Sequence, residues 1–328
     1  MMKNYIFIPV ISLFLNLILS TEVFAYKYGL GSCLDQHFKQ DIWQSIKKEN
    51  IDGFIFLGDN VYGDTPSGKL SKMESAYKIQ QTKLPEWLMS EKEILAIWDD
   101  HDFGINDGGG DYPFKKEAQK LFLEFWKIPG LDPRSTREGI YFKQTKQIED
   151  LEVEIIGLDT RYFRSPLKGK KNPYAQNMDS EATILGTKQW MWLETSIYNS
   201  TADVIVILSS IQILATNHPY EKWDNFPMER ERLLGLIANA SKNTTILAVS
   251  GDRHRSGIYQ NDHFVEITAS SLNKPASKNI ETDPLLLGKT YPIKNFGILD
   301  IEPSKKKITL SIHDQNGFKL NSKIINLN

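Results

Sequence analysis

The stretch Phe54-Ile55-Phe56-Leu57-Gly58-Asp59-Asn60-Val61-Tyr62 opens with four apolar residues that do not alternate with polar ones. That pattern belongs to a strand buried on both faces, as parallel strands are. Gly58 then lets the backbone turn sharply. Asp59 stands at the strand's carboxyl end, where sheets of this kind gather ligands and catalytic groups. Two further stretches have the same form: Thr245-Ile246-Leu247-Ala248-Val249-Ser250 runs into Gly251-Asp252-Arg253-His254, and Ile94-Leu95-Ala96-Ile97 runs into Trp98-Asp99-Asp100-His101-Asp102. Three apolar strands each deliver Asp, or Asp and His, at their ends. Oxygen and imidazole donors drawn from separate segments suit a hydrolytic metal centre.

Around these stretches the chain alternates strand and helix. Strands are expected at 28–32, 54–57, 94–97, 139–144, 151–158, 204–208 and 245–250, and helices at 40–48, 69–89 (broken at Pro85), 187–198 and 229–238. Pro113 is expected to open a helix reaching Trp126, since proline suits a first turn. A glycine-rich loop runs over 104–110 and a polar loop over 164–180. From Ser256 onward the reading is mainly of short strands. The order is α/β at first and β-rich at the end. No repeat or convincing linker divides residues 26–328, which are therefore expected to form one domain.

The 328 residues are ample for a sizeable core. A net charge of −2 gives no basic surface for nucleic acid or an anionic membrane. Residues 1–25 read as a signal peptide for the general secretory route: Lys3 precedes an apolar run, no twin arginine is present, and Val23-Phe24-Ala25 offers a cleavage site after Ala25. A single membrane anchor is the alternative, for which the run is short. A secreted or periplasmic location is the expectation. Cys33 is the chain's only cysteine, so it is either an inert buried thiol or a working one.

Gly31-Ser32-Cys33, Gly58-Asp59-Asn60-Val61-Tyr62, Trp98-Asp99-Asp100-His101-Asp102 with Asn106, Leu158-Asp159-Thr160-Arg161-Tyr162 and Ser250-Gly251-Asp252-Arg253-His254 occur in this order. Together they resemble the alkaline phosphatase D (PhoD-like) family of metallophosphoesterases. Trp223-Asp224-Asn225-Phe226-Pro227, Ala269-Ser270-Ser271 and Asn295-Phe296-Gly297 extend the likeness over nearly the whole of 26–328. The resemblance implies a four-layer αββα sandwich, two mixed β-sheets flanked by helices, and a metal-dependent phosphomonoesterase or phosphodiesterase. The family's type member carries an extra β-domain ahead of the catalytic one and uses twin-arginine export. Neither feature is seen here, which leaves monoester and diester substrates both open.

Carried over residue by residue, Asp59 matches the family's bridging aspartate, whose two oxygens can each bind a cation. Tyr62 matches a phenolate ligand to Fe3+, with an exposed loop tyrosine as the alternative. Cys33 matches a thiolate ligand, with a small buried hydrophobe as the alternative. Asn106 matches an amide-oxygen ligand suited to Ca2+. Asp252 and His254 are two apart, and in an extended segment such residues face the same side, so both are expected ligands. The same alternation puts Asp100 and Asp102 on one side and Asp99 on the other. Asp100 is then the expected ligand, Asp102 an orienter behind it, and Asp99 structural. His101 is a candidate proton donor or phosphate-binding group, or else an ordinary core or surface histidine.

Chemically, such a set lets cations acidify a bridging water for in-line attack on phosphorus. Arg161 is the expected phosphate clamp, with Arg164, Arg253 and Arg255 as lesser candidates and His218 as a supporting residue. Trp190, Trp192 and Trp223 read as core packing. A phosphoric ester hydrolase acting as a monomer on small phosphate esters is the expectation. The alternatives are a phospholipase- or nuclease-type phosphodiesterase using the same centre, and a non-catalytic secreted binding protein of this fold.

Overall fold

Each of the three apolar runs forms a strand, and each ends just short of its carboxylate. The computed structural model describes residues 25–276, 279 and 281–327. The expected signal peptide therefore lies outside the described residues, apart from Ala25. Among the described residues no helix is long and apolar enough to cross a membrane.

The first part of the chain supplies β1 (Tyr26–Gly31), β2 (Gly53–Leu57) and β3 (Glu93–Ile97). The middle supplies β4 (Phe142–Ile148), β5 (Leu151–Gly157), the short pair β6 (Lys168–Gly169) and β7 (Tyr174–Ala175), then β8 (Val204–Ser209), β9 (Thr245–Ser250), β10 (Gly257–Gln260) and β11 (Val265–Thr268). The last part adds β12 (Asn295–Glu302), β13 (Lys307–Asp314) and β14 (Lys319–Asn326). The helices are α1 (Trp43–Lys48), α2 (Ser71–Lys83), α3 (Glu86–Glu91), α4 (Asp100–Phe103), α5 (Lys115–Phe125), α6 (Gly186–Tyr198) and α7 (Pro227–Ala240).

Two six-stranded mixed sheets result, in the orders β14-β13-β12-β1-β2-β3 and β10-β11-β9-β8-β5-β4. In the first, β1, β2 and β3 are parallel, with Gly31 opposite Phe56 and Leu57 opposite Ile97. In the second, β5, β8, β9 and β11 are parallel, with Gly157 opposite Leu208 and Ser250 opposite both Ser209 and Thr268. These registers finish the parallel strands of each sheet at one level, so the loops that follow them emerge along one edge.

Alternation within the strands sorts the layers. Val153 and Ile155, Val206 and Leu208, and Leu247 and Val249 pack into one core with Leu30, Ile55 and Leu57 of the other sheet. Their neighbours Ile156, Ile205, Ile207 and Ile246 instead meet Trp190, Leu193 and Ile197 of α6 and Leu233 and Ile237 of α7. On the first sheet, Phe54 and Phe56 pack on Trp43 of α1, and Phe56 also on Trp126, at centroid distances of 5.3, 6.1 and 4.7 Å. The layers thus run helices, sheet, sheet, helices, and each large side chain buried this way contributes roughly 2 kcal/mol. Trp190 and Trp223 are buried in the outer core, edge to face at 6.4 Å.

Several elements differ from their sequence reading. α5 starts at Lys115, two residues past Pro113. The β4 strand begins at Phe142, because Gly139 has a positive φ of 80° and Ile140 donates to the Asp159 carboxylate instead of a strand neighbour. The polar loop over 164–180 contains the β6–β7 pair. Residues 100–103 form a single helical turn where an extended segment was expected.

Candidate metal centre

Gly58 has φ of 96°, and a Cβ there would lie 2.4 Å from the Cβ of Asp99. Only glycine lets β2 end this close to the loop after β3. Asp59 follows with φ of 52°, the left-handed region that a non-glycine residue seldom adopts. Cys33, Asp252 and His254 share it, at 55°, 63° and 54°. Strained backbone clusters where a site over-determines it. The finding also corrects the extended-segment argument for residues 252–254: two left-handed residues, not strand alternation, aim that loop.

One group of side chains converges beneath the surface. The Asp59 Oδ2 atom lies 3.5 Å from the Cys33 sulfur and accepts a hydrogen bond from the Tyr62 hydroxyl at 3.0 Å. The same hydroxyl lies 3.3 Å from Nε2 of His254. Ligand atoms of Cys33, Asp59 and His254 all fall within 4.8 Å of one another. Cys33 is fully buried and Tyr62 is 7% exposed, so the exposed-loop alternative for Tyr62 does not hold. The group is braced from behind. Nδ1 of His254 is bonded to the Lys274 carbonyl, which presents Nε2 to the group. The Ser270 hydroxyl lies 3.1 Å from the Cys33 sulfur and accepts from the His254 amide at 2.7 Å.

A second group shares Asp59. Ligand atoms of Asp59, Asp100 and His101 again lie within 4.8 Å of one another. With Asn106, Asp252 and His254 they line a cavity of about 230 Å³. Asp252 stands outside the two tightest groups, and Asn106 is exposed at the cavity's mouth. Oδ2 of Asp100 accepts from the Asp107 amide at 2.6 Å, while its Oδ1 is buried without a hydrogen-bond partner. Asp102 does not share a strand face with Asp100. It sits behind the site and accepts from the amides of Asp59, Asn60 and Asp99 at 3.2, 3.2 and 2.6 Å. Nδ1 of His101 is held by Asp64 at 2.8 Å.

Arg161 requires a correction. It is fully buried and absent from the cavity lining. Its guanidinium sits against Asp99 and Glu221, each at 2.5 Å, and not on the cavity wall. The lysine and arginines that do line the cavity are Lys171, paired with Asp107 at 2.6 Å, Arg253 and Arg255. Arg253 is held at 2.5 Å by Glu281 and lies 4.5 Å from the Tyr220 ring centre. His218 does not line the cavity, and its Nδ1 accepts from the Tyr220 amide at 3.3 Å.

Burial pushes the Asp59 carboxyl well above the usual range, opposed by His101 and reinforced by Cys33 and Asp100. Burial likewise pushes the Cys33 thiol up to about 11, against the hydroxyls of Ser270 and Ser32, and raises the Tyr62 phenol well above 10. Asp252 is pushed up to about 6 by burial, against the pull of Arg253. His101 is held up to about 10 because Asp100, Asp59 and Asp64 outweigh its burial. Acidic donors crowded out of water ionise readily only beside a strong positive charge, which a bound cation supplies. The donor types, their convergence and the partnerless oxygen of Asp100 all fit metal ions.

Residues 114–309 match the model of the PhoD-like phosphatase family. The chain belongs to that family. It is 27% identical over 320 residues to alkaline phosphatase D of Bacillus subtilis (strain 168), an alignment covering 79% of this chain and 53% of that protein. The chain thus spans about half the length of the curated relative it matches. Among solved structures it is similar to PhoD, with a TM-score of 0.69 at 17% identity, covering 92% of this chain and 68% of that one. It is also similar to GAP50, the anchor in the inner membrane complex of Plasmodium, at 0.64 and 14%, covering 93% and 89%. A third likeness is to a purple acid phosphatase from yellow lupin (Lupinus luteus) seeds, at 0.58 and 13%, covering 93% and 54%. These structures share the metallophosphoesterase fold, which an anchor protein also carries, so activity has to be argued from the site.

Some residues at this PhoD-like site carried no sequence signal. Glu221 and Tyr220 lie in an irregular loop after β8, and Lys171 in the turn between β6 and β7. Asp64 and Lys274 stand in none of the motifs. Ser270 was legible only as part of Ala269-Ser270-Ser271.

Proposed function

We propose that this chain is a secreted, metal-dependent phosphoesterase that hydrolyses phosphomonoesters, phosphodiesters or both, acting as a monomer. The observation that carries this is the sharing of Asp59 between a buried thiol–phenol–imidazole group and an oxygen-rich group that lines a cavity. Cys33, Asp59, Tyr62 and His254 would hold one cation, and thiolate with phenolate suits Fe3+. Asp59, Asp100, Asn106 and Asp252 would hold another, and an all-oxygen set suits Ca2+. When bound, such cations acidify a water and neutralise charge on the phosphoryl oxygens.

The chain's own residues do the rest. Lys171 and Arg253 line the cavity wall and offer cationic donors to an anionic ester. Asp64 fixes His101 through Nδ1, so Nε2 is the nitrogen left to donate a proton to a leaving oxygen. Asp102 locks the turns that carry Asp59 and Asp99 through their amides.

The test is turnover of the purified protein on an aryl phosphomonoester and a matched diester, with metal analysis of the same sample. Hydrolysis of either ester that tracks metal content supports the reading. A folded, metal-loaded protein inert on both would overturn it in favour of a binding protein. Secretion is checked by mass analysis, which should place the mature N-terminus at Tyr26, whereas an intact Met1 in a membrane fraction points to an anchor.

A further inference from the structure

We infer that Arg161 and Arg164 are positioning residues that set the occupancy of one cation position, the one formed by Asp100, Asn106 and Asp252, and leave the Cys33 position alone. The inference rests on the metal-dependent reading above. Nε and Nη2 of Arg161 lie 2.6 and 2.5 Å from Oδ1 of Asp99, the residue before Asp100. Nη1 lies 2.5 Å from Oε2 of Glu221 and 3.3 Å from the Gly108 carbonyl. Arg164 takes the other oxygen of Glu221, Oε1, at 2.9 Å, and donates to the Asp107 carbonyl. Two guanidinium groups from the loop after β5 therefore grip the loop carrying Asp100 and Asn106 at both ends. They also fix Glu221, which lines the cavity wall. The wrapping is close: a Cβ at Gly109 would stand 2.7 Å from the Arg164 carbonyl oxygen.

The four charged side chains are at most 1% exposed. Burying two acids and two bases is poor value as stability, because desolvation offsets the attraction. What the arrangement does provide is angle. A guanidinium is planar with five donors in a fixed fork, whereas an ammonium is a single point of charge. Only the fork can hold Asp99, Gly108 and Glu221 together. Among the described residues neither arginine bonds to Cys33, Tyr62 or His254: Cys33 and His254 are held through Ser270 and Lys274, and the Tyr62 backbone by Gln36.

The test uses the full mature chain, stripped with a calcium chelator and titrated with Ca2+, with metals per chain and the visible absorbance recorded alongside. Arg161→Lys keeps the charge and loses the fork, and Glu221→Gln removes the shared anchor. Each should weaken Ca2+ binding by about tenfold or more, while the tightly held metal stays. A folded Arg161→Lys chain with wild-type Ca2+ affinity overturns the inference, as does loss of both metals in equal proportion. If Arg161→Lys fails to fold, Glu221→Gln and Arg164→Lys decide by the same ratio. A wild-type chain that binds no metal overturns the proposed function instead.

Discussion

The two halves of the site are built on opposite plans. In the Cys33–Tyr62–His254 half only His254 reaches the cavity, while Cys33 is fully buried and Tyr62 nearly so. Its donors touch one another directly at 3.0–3.5 Å. The Asp100–Asn106–Asp252 half faces the cavity, is made of oxygens, and does not close on itself: Asn106 is exposed and Asp252 stands apart from the tightest groups. A dry site with sulfur and phenol donors suits a permanently held, highly charged ion, whereas an open oxygen site suits an exchangeable one. Asp59 belongs to both, so the comparison can be broken at one residue.

The largest effect is therefore expected there. Asp59→Asn keeps the shape, removes the charge and weakens one oxygen donor. Activity on an aryl phosphate should fall by on the order of a thousandfold or more, because the attacking water depends on the cations. Bound metal should fall at both positions. The fold should survive, since burial already disfavours this charge and Asp100 and Asp99 disfavour it further. Wild-type turnover in a well-folded variant would end both the bridging role and the site built on it.

The next effect separates the halves without mutation. A calcium chelator reaches the open half first, so activity should be lost and then restored by added Ca2+ while the buried metal and its colour persist. Simultaneous loss of both metals would make the two halves one. Tyr62→Phe is the converse. It removes the phenolate and, with it, the phenolate-to-iron absorption in the visible, but leaves the open half's ligands intact. Activity should fall less than in Asp59→Asn, and Ca2+ affinity should hold. A colourless, fully active wild-type enzyme would dismiss iron from the buried half.

The same contrast marks what could be read from the chain. Strands buried on both faces announce themselves as unbroken apolar runs, so β2, β3 and β9 and the residues at their ends were legible. The two-sheet sandwich was legible only as what the family resemblance implies, not from the strands' own pattern. What escaped was geometry after the strand ends. Strand alternation was extended past Ile97 and Ser250, where the backbone in fact enters a helical turn at Asp100 and left-handed turns at Asp252 and His254. Arg161 was assigned to phosphate because arginine is the usual clamp, and only the fold shows Glu221, sixty residues away in sequence, occupying it. Irregular loops carry no periodicity, so Glu221 and Lys171 had none to show.

The smallest effect expected is a pH dependence of stability, and its sign tests whether cations complete the site. In the chelated protein, burial raises Asp252 to about 6 and Asp102 to about 7, and the surrounding carboxylates raise His101 to about 10 against its burial. A group raised on folding binds more protons folded than unfolded between its ordinary and raised values, so stability falls with rising pH across that window. For the two aspartates the window runs from their ordinary value of 3.8 up to about 6 and 7. For His101 the stabilisation is whole below 6.5 and is lost as pH climbs through about 10. Asp100 is lowered and works oppositely, but only below 3.8. Burial lowers His254, His218 and His313, which makes stability rise with pH up to 6.5. The clear drop in the thermal midpoint of the chelated protein is therefore expected above that, as pH climbs toward about 10. A drop of several degrees is the expected size, since 1 kcal/mol moves a large domain by about 2–4 °C. Cations reverse the slope for the groups they bind, because protons compete with metal for the same oxygens. The loaded and chelated midpoints should then meet in acid and separate as pH rises. A chelated midpoint that rises with pH above 6.5 would mean that these carboxylates are already relieved by the protein alone, and the cavity's charge would need no cation to explain it.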